Sequence, residues 1–244
     1  MTRTFDDVRA VTFDCWGTLI RDRDMQAAMA RREEAITRLL GVDAPRAKAL
    51  LEEAWDRHHD AWTSVATFGP GRMAAYCVEQ SGDPGDERTL AELTLEFEEA
   101  TLETGVDATH GAGETLRTLE VAGIRRALVC DTGMTPGRVV RAMLRQLELE
   151  PHLEFLAFSD EVGVPKPNPE IFAKALAELG AKPEDAVHVG DLKRTDVHGA
   201  RALGMGTVRV RGAHDDRADL PEADAVVEVL PELLPLLGLP AMPA

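Results

Sequence analysis

The chain has 244 residues, 44% apolar and 29% charged, the balance of a globular protein with a real core and not of a disordered or fibrous one. Its 43 acidic against 27 basic residues leave a net charge of -16, which repels nucleic-acid phosphates and anionic lipid surfaces, so neither partner is expected. Cys15, Cys77 and Cys130 are too scattered for a disulfide framework or a zinc site, and Met1 to Ala10 carries charges where a secretory signal needs an apolar run, so a reducing, cytoplasmic setting is expected.

Val8 to Phe13 reads as a first strand, apolar and β-branched. From Arg21 to about Gly105 the composition changes to helix formers and charges. Helices are expected over Asp24 to Leu40, Pro45 to Thr63, Arg72 to Gln80 and Glu87 to Glu103, with breaks at Gly41-Val42-Asp43, Gly69-Pro70-Gly71 and Gly82-Asp83-Pro84-Gly85. Beyond it, helical patterns at Gly113 to Ala122, Pro136 to Leu149, Pro169 to Leu179 and Thr195 to Leu203 alternate with strands. Those strands fall at Ala127 to Cys130, Leu153 to Phe158, Ala186 to Val189, Thr207 to Val210 and Ala225 to Val229. Such alternation is the signature of a parallel α/β sheet. The organisation is therefore a core of residues 1–20 and 105–244, with residues 21–104 inserted as a small helical domain expected to stand over the carboxyl edge of the sheet.

Three segments carry chemistry. The first strand ends in Val11-Thr12-Phe13-Asp14-Cys15-Trp16-Gly17-Thr18-Leu19, a carboxylate at a strand end followed by a glycine whose turn can expose amides to an anion. In Gly163-Val164-Pro165-Lys166-Pro167-Asn168-Pro169-Glu170 three prolines stiffen the backbone around one lysine and so lower the cost of aiming its ammonium. In Val187-His188-Val189-Gly190-Asp191-Leu192-Lys193-Arg194-Thr195-Asp196 two carboxylates follow a buried strand, hard oxygen ligands of the kind that suit Mg²⁺.

The order Asp14, Lys166, Asp191 and Asp196, each in this context, resembles the haloacid dehalogenase-like hydrolase superfamily. The resemblance spans Val8 to Leu19 and Gly105 to about Leu237, and implies a Rossmann-like parallel core with an α-helical cap inserted between the first and second motifs. It further implies a hydrolase for a small anionic substrate, most simply a phosphorylated metabolite. Asp14 would attack phosphorus to give an aspartyl phosphate. Mg²⁺ would be held by Asp14, Asp191 and the backbone carbonyl of Trp16. Lys166 would oppose the negative charge, and Asp196 would orient Lys166 or the metal's waters.

Two departures from the family pattern bear on the reaction. Trp16 stands where phosphatases of this kind carry a second Asp as general acid, and an indole cannot protonate a leaving alkoxide. Relatives that remove halide from small carboxylic acids have an aromatic residue there and work without metal, but lack the acid that Asp191 supplies here. Cleavage of carbon–halogen or carbon–phosphorus bonds is thus an alternative, as is a protein that binds its ligand without turnover. The second departure is Cys130, where a serine or threonine commonly binds the substrate anion; Thr132 or the amides of Asp131 and Thr132 could take that task, and Cys130 could equally be a packed apolar residue.

Trp55, His58, His59 and Trp62 fall on one helical face, read first as packing into the helical domain's core or against the sheet domain and, alternatively, as a substrate lid in which His58 or His59 replaces the missing acid. Phe68-Gly69-Pro70-Gly71-Arg72 offers Arg72 to a substrate anion or is helix-start punctuation. Arg21, Arg23, Arg31 and Arg32 are expected as a solvated, salt-bridging face, His188 in the core or behind the site, and Lys193 and Arg194 facing solvent.

Overall fold

The computed structural model describes residues 5, 7–82 and 86–241. In chain order these form β1 (Ala10–Phe13), β2 (Ile20–Asp22), α1 (Met25–Leu40), α2 (Ala44–Thr63), α3 (Pro70–Ser81), α4 (Glu87–Thr104) and β3 (Val106–Ala108). Then follow α5 (Ala112–Val121), β4 (Arg125–Cys130), α6 (Gly137–Gln146), β5 (Phe155–Phe158), α7 (Ser159–Val162) and α8 (Pro169–Leu179). The chain ends with β6 (Ala186–Gly190), α9 (His198–Ala202), β7 (Gly206–Val210), β8 (Ala225–Val227) and α10 (Leu233–Leu236).

Six strands form one sheet in the order β5-β4-β1-β6-β7-β8, with every neighbouring pair parallel, the expected α/β core. β1, β6 and β7 are buried along their whole length, as the strands of a sheet covered on both faces must be. The chain lays β4 and β5 on one side of β1, then returns to add β6, β7 and β8 on the other. The direction of winding reverses between β1 and β6, and open α/β sheets take ligands at the carboxyl ends of the strands at such a point. Across one face lies α8, whose Ile171, Phe172, Ala175 and Leu176 pack on Ala10, Ala127, Val129 and Ala157. Small side chains on the strands let that helix approach closely.

The chain divides into two compact units: Met1–Arg21, Asp107–Asp131 and Leu144–Ala244, which hold the sheet, and Asp22–Val106 with Thr132–Met143, which is helical. The helical unit is built by α1 to α4 around Ile36, Leu50, Leu51, Met73, Leu93 and Phe97, joined by Met134 from the second segment. Asp24, Asp43 and Asp86 cap three of its helices, accepting hydrogen bonds from the amides of Ala27, Arg46 and Thr89 at 2.9, 2.9 and 2.6 Å. Among the described residues no helix is long and apolar enough to cross a membrane.

Several expectations need correction. β2 and β3 pair as a two-stranded ribbon that the sequence reading passed over, because three-residue strands have no periodicity to detect. The helix expected to run from Pro136 to Leu149 stops at Gln146, where Glu148 adopts a positive φ of 55°. The expected helix over Thr195 to Leu203 begins instead as a π turn, Lys193–Val197, before α9. In α2 the buried stripe is Ala47, Leu50, Leu51 and Ala54, so Trp55, His58, His59 and Trp62 lie outside the core of the helical unit; Trp55 and His59 are exposed, and His58 and Trp62 are half-buried. Arg32 is not solvated: it is buried in the helical unit, donating from Nε to the Phe97 carbonyl and from Nη2 to Thr101 Oγ1, both at 3.0 Å. Arg31 does form the expected exposed pair, with Glu103. Residues 83–85 of the expected break at Gly82 to Gly85, and residues 1–4 and 6 of the charged amino terminus, lie outside the described residues.

Candidate active site

Asp14 is the first residue beyond β1, and its amide donates to the Val189 carbonyl of β6 at 2.8 Å, so the backbone is still held by the sheet where the side chain leaves it. The chain then turns at Gly17, whose φ of +77° suits glycine. A Cβ there would meet Asp191 Oδ2 at 2.6 Å, so the turn and the approach of Asp191 both require that glycine. Gly190 plays the matching part after β6, for a Cβ on it would fall 2.3 Å from Asp196 Cγ.

These two turns bring three carboxylates together. Asp14, Asp191 and Asp196 are all buried and each offers an oxygen within 4.8 Å of the others. Lys166, 2% exposed, donates from Nζ to Asp14 Oδ1, and to Asp196 Oδ1 at 2.7 Å. Its amide donates to Asp131 Oδ1 at 2.8 Å, which ties the proline-rich loop to the end of β4. Asp196 is fixed from further sides: its Oδ2 accepts the Leu192 amide at 2.9 Å, and its Oδ1 lies 3.2 Å from His188 Nε2. His188 Nδ1 in turn lies 2.8 Å from Thr12 Oγ1, its register partner on β1.

Charge balance explains the electrostatics. Burial pushes the Asp191 carboxyl up to about 9, reinforced by the Asp14 and Asp196 charges. Burial likewise raises Asp14 to about 7 against the pull of Lys166. Asp196 goes the other way: although burial opposes it, Lys166 and His188 hold its carboxyl well below the usual range. Burial disfavours the charged form of Lys166, but Asp14 and Asp196 outweigh it and hold the ammonium protonated. If all three carboxyls ionised, the one ammonium that bonds Asp14 and Asp196 would leave an excess of negative charge in a buried site, which is why Asp191 and Asp14 hold their protons more tightly than usual. That excess and a donor set of hard oxygens fit a divalent cation of the Mg²⁺ type.

The structure thus gathers Asp14, Lys166, Asp191 and Asp196, with Asp131 beside Lys166. Trp16 is half-buried and its backbone bridges to Ile20. Cys130 closes β4 fully buried; its thiol lies 3.5 Å from the Asp131 carbonyl and is held protonated by burial and by the neighbouring Cys15. Thr132 opens the segment assigned to the helical unit. Arg72 also belongs to that unit, where its guanidinium stacks 4.8 Å above the Phe68 ring and donates to the Thr67 carbonyl at 3.4 Å. His58 donates from Nδ1 to the Phe68 carbonyl at 2.9 Å and rests 5.1 Å from the Trp55 ring.

Lys193 and Arg194 do not face solvent as expected: the Lys193 side chain is 12% exposed and donates to the Ala218 carbonyl, and Arg194 is half-buried near Asp131 and Asp196. Sequence reasoning missed Thr12 outright. The signal available was parity: Thr12 sits two residues before Asp14, and His188 two before Gly190, polar residues in otherwise apolar strands and on the same side as the site.

Comparison with known proteins agrees with this architecture. A protein named glyceraldehyde 3-phosphate phosphatase from Pyrococcus furiosus is 36% identical over 162 residues, 61% of this chain and 66% of the relative, so the match spans just under two thirds of that relative's length. One named phosphoglycolate phosphatase from Shigella boydii serotype 4 is 27% identical over 253 residues, 97% of this chain and 95% of the relative. The crystal structure of a HAD phosphatase from Thermococcus onnurineus superposes with a TM-score of 0.71 at 22% identity, covering 96% of this chain and 100% of that one, a likeness of fold. A family model described as haloacid dehalogenase-like hydrolase matches residues 8–204, a span that takes in Asp14, Lys166, Asp191 and Asp196, and the chain belongs to that family of hydrolases.

Proposed function

We propose that this protein is a Mg²⁺-dependent phosphatase of a small phosphorylated metabolite, working in a reducing, cytoplasmic setting through a phosphoryl group carried transiently on Asp14. The observation that carries the reading is the buried Asp14 carboxylate, held by the Lys166 ammonium and gathered with the two further carboxylates of Asp191 and Asp196. The names of the relatives, phosphatases of glyceraldehyde 3-phosphate and of phosphoglycolate, support a small phosphorylated substrate.

Asp14, Asp191 and the backbone carbonyl of Trp16 would hold the metal. Once bound, Mg²⁺ offsets the repulsion between a carboxylate nucleophile and an anionic phosphate. Asp14 attacks phosphorus through one oxygen; the bond to the leaving oxygen breaks, and water then attacks the acyl phosphate to release inorganic phosphate and restore the carboxylate. Lys166 keeps Asp14 ionised and aimed and stabilises the charge gathering on the transferring group. Asp196 holds Lys166 in place, with His188 and Thr12 supporting Asp196 from behind. The amides and side chains at Cys130, Asp131 and Thr132 are the candidates for gripping the phosphate, with Arg72 a candidate for the remainder of the substrate.

Trp16 provides no proton for the leaving group, so substrates with good leaving groups should turn over best unless His58 or His59 serves as donor. The same residue favours a second reading, hydrolysis of a carbon–halogen bond without metal; Asp191 argues against it, since a third buried carboxylate is costly to keep without a cation. A panel of phosphate esters and 2-haloacids, each assayed with Mg²⁺ and with chelator, tests both. Metal-dependent release of phosphate, abolished in Asp14→Asn, is the expected result. Halide release in chelator would transfer the assignment to the second reading, and ligand binding without turnover of any substrate would overturn both.

A further inference from the structure

We propose that Asp216, on the loop between β7 and β8, is a positioning residue for the metal-binding loop that follows β6; this rests on the metal reading of the site given above. Asp216 Oδ2 accepts the Lys193 amide at 2.7 Å, two residues beyond Asp191. Its other oxygen, Oδ1, accepts the Ala218 amide at 2.8 Å, so a single carboxylate ties two loops together. The Lys193 side chain returns the tie, donating from Nζ to the Ala218 carbonyl at 3.0 Å and lying 3.8 Å from Glu222 Oε2.

The outer loop is itself anchored to the sheet. Arg209 of β7, register partner of Gly190, has a side chain only 4% exposed. It donates from Nε and Nη2 to the two Glu222 oxygens at 2.8 and 2.9 Å, and from Nη1 to Asp215 Oδ1 at 3.2 Å. A chain of charge-assisted hydrogen bonds therefore runs from the end of β7, through the loop, to the amide just behind Asp191. Core burial does not account for this loop: of residues 211–220 only Asp216 is half-buried and the others are exposed. What the contacts do is restrict the backbone that carries Asp191. A carboxylate ligand so restricted loses less freedom on taking up a cation.

The test is a Mg²⁺ titration of metal-free protein followed by thermal shift, a readout independent of turnover. Asp216→Ala is expected to raise the half-saturating Mg²⁺ concentration about tenfold, the scale of losses behind metal ligands, while kcat at saturating Mg²⁺ stays close to that of the wild type. Asp216→Asn keeps an acceptor for the Lys193 amide and is expected to recover most of the affinity. Should the alanine variant fail to fold, Asp216→Ser, with a shorter acceptor, is expected to lie between the two. An Asp216→Ala or Asp216→Ser protein that titrates like the wild type overturns the proposal alone. An Asn variant as weak as Ala also overturns it, for charge and not the hydrogen bond would then be responsible. A wild type that shows no Mg²⁺-induced shift overturns the metal reading of the site, and this proposal with it.

Discussion

Replacing Asp191 by Asn should make the metal-free protein more stable while abolishing its response to Mg²⁺. Carboxylate oxygens of Asp14, Asp191 and Asp196 lie within 4.8 Å of one another. At that separation and an effective dielectric of about 20, two unit charges repel by about 3.5 kcal/mol. Lys166 binds Asp14 and Asp196 and so offsets roughly one of the two charges that Asp191 faces. The net penalty is then about 3.5 kcal/mol, and proton uptake and local relaxation reduce what is measured to about 1–2 kcal/mol. For a domain of this size that corresponds to a rise in Tm of about 2–8 °C in chelator. Mg²⁺ at a hundred times its dissociation constant should stabilise the wild type by about 2.7 kcal/mol and the variant hardly at all. The order of melting thus inverts: the Asn variant melts higher in chelator, the wild type higher in Mg²⁺. Paired thermal denaturation in the two buffers measures it. A variant that melts below the wild type in chelator, or keeps the full Mg²⁺ shift, would refute the claim that Asp191 stands in an uncompensated acidic cluster completed by a cation.

Two further outcomes follow from the geometry. Gly17→Ala places a Cβ 2.6 Å from Asp191 Oδ2 at a φ of +77°, and should cost about 1–3 kcal/mol in chemical denaturation and reduce the proposed hydrolytic activity at least tenfold. Unchanged activity would mean that Asp191 moves aside freely. Glu222 is held down to about 2 by its hydrogen bonds to Arg209, so its contribution to folding is present above the ordinary carboxylate pKa and is lost as pH falls towards 2. Its side chain is 42% exposed, so solvent screening limits the effect to no more than about 1 kcal/mol. Wild type should exceed Glu222→Gln in Tm at neutral pH, with the gap closing between about pH 4.5 and 2; a gap that widens on acidification would contradict it.

The parallel sheet and the four residues that cluster at the candidate site were legible because their signals are local. Apolar runs ending in Asp14 or Gly190-Asp191, and a lysine between prolines, each carry meaning within about ten residues. What escaped depends on distant neighbours. Arg32 and Arg31 are adjacent and chemically identical, yet one is buried against the Phe97 carbonyl and the other is exposed with Glu103; only the position of α4 distinguishes them. Lys193 is drawn inward by Ala218, a residue 25 positions later, and nothing in its own surroundings announces that. That the tryptophans of α2 do not join the core of the helical unit was not legible, because helical spacing identifies a face without saying which one faces that core; Leu50, Leu51 and Ala54 had the better claim on it.

The wide turn at Lys193–Val197 has a consequence for how this site can vary. Val197 donates back five residues to the Leu192 carbonyl at 3.3 Å, while Asp196 both donates to that carbonyl and accepts from the Leu192 amide. The stretch therefore accommodates one residue more than an ordinary helical start would. Removing that residue would swing the second acid by about 100° around the helix axis, away from Lys166. Point substitutions in 192–195 should be tolerated more readily than any change of length, because the interval between the two acids, and not the identity of what lies between them, sets where Asp196 stands.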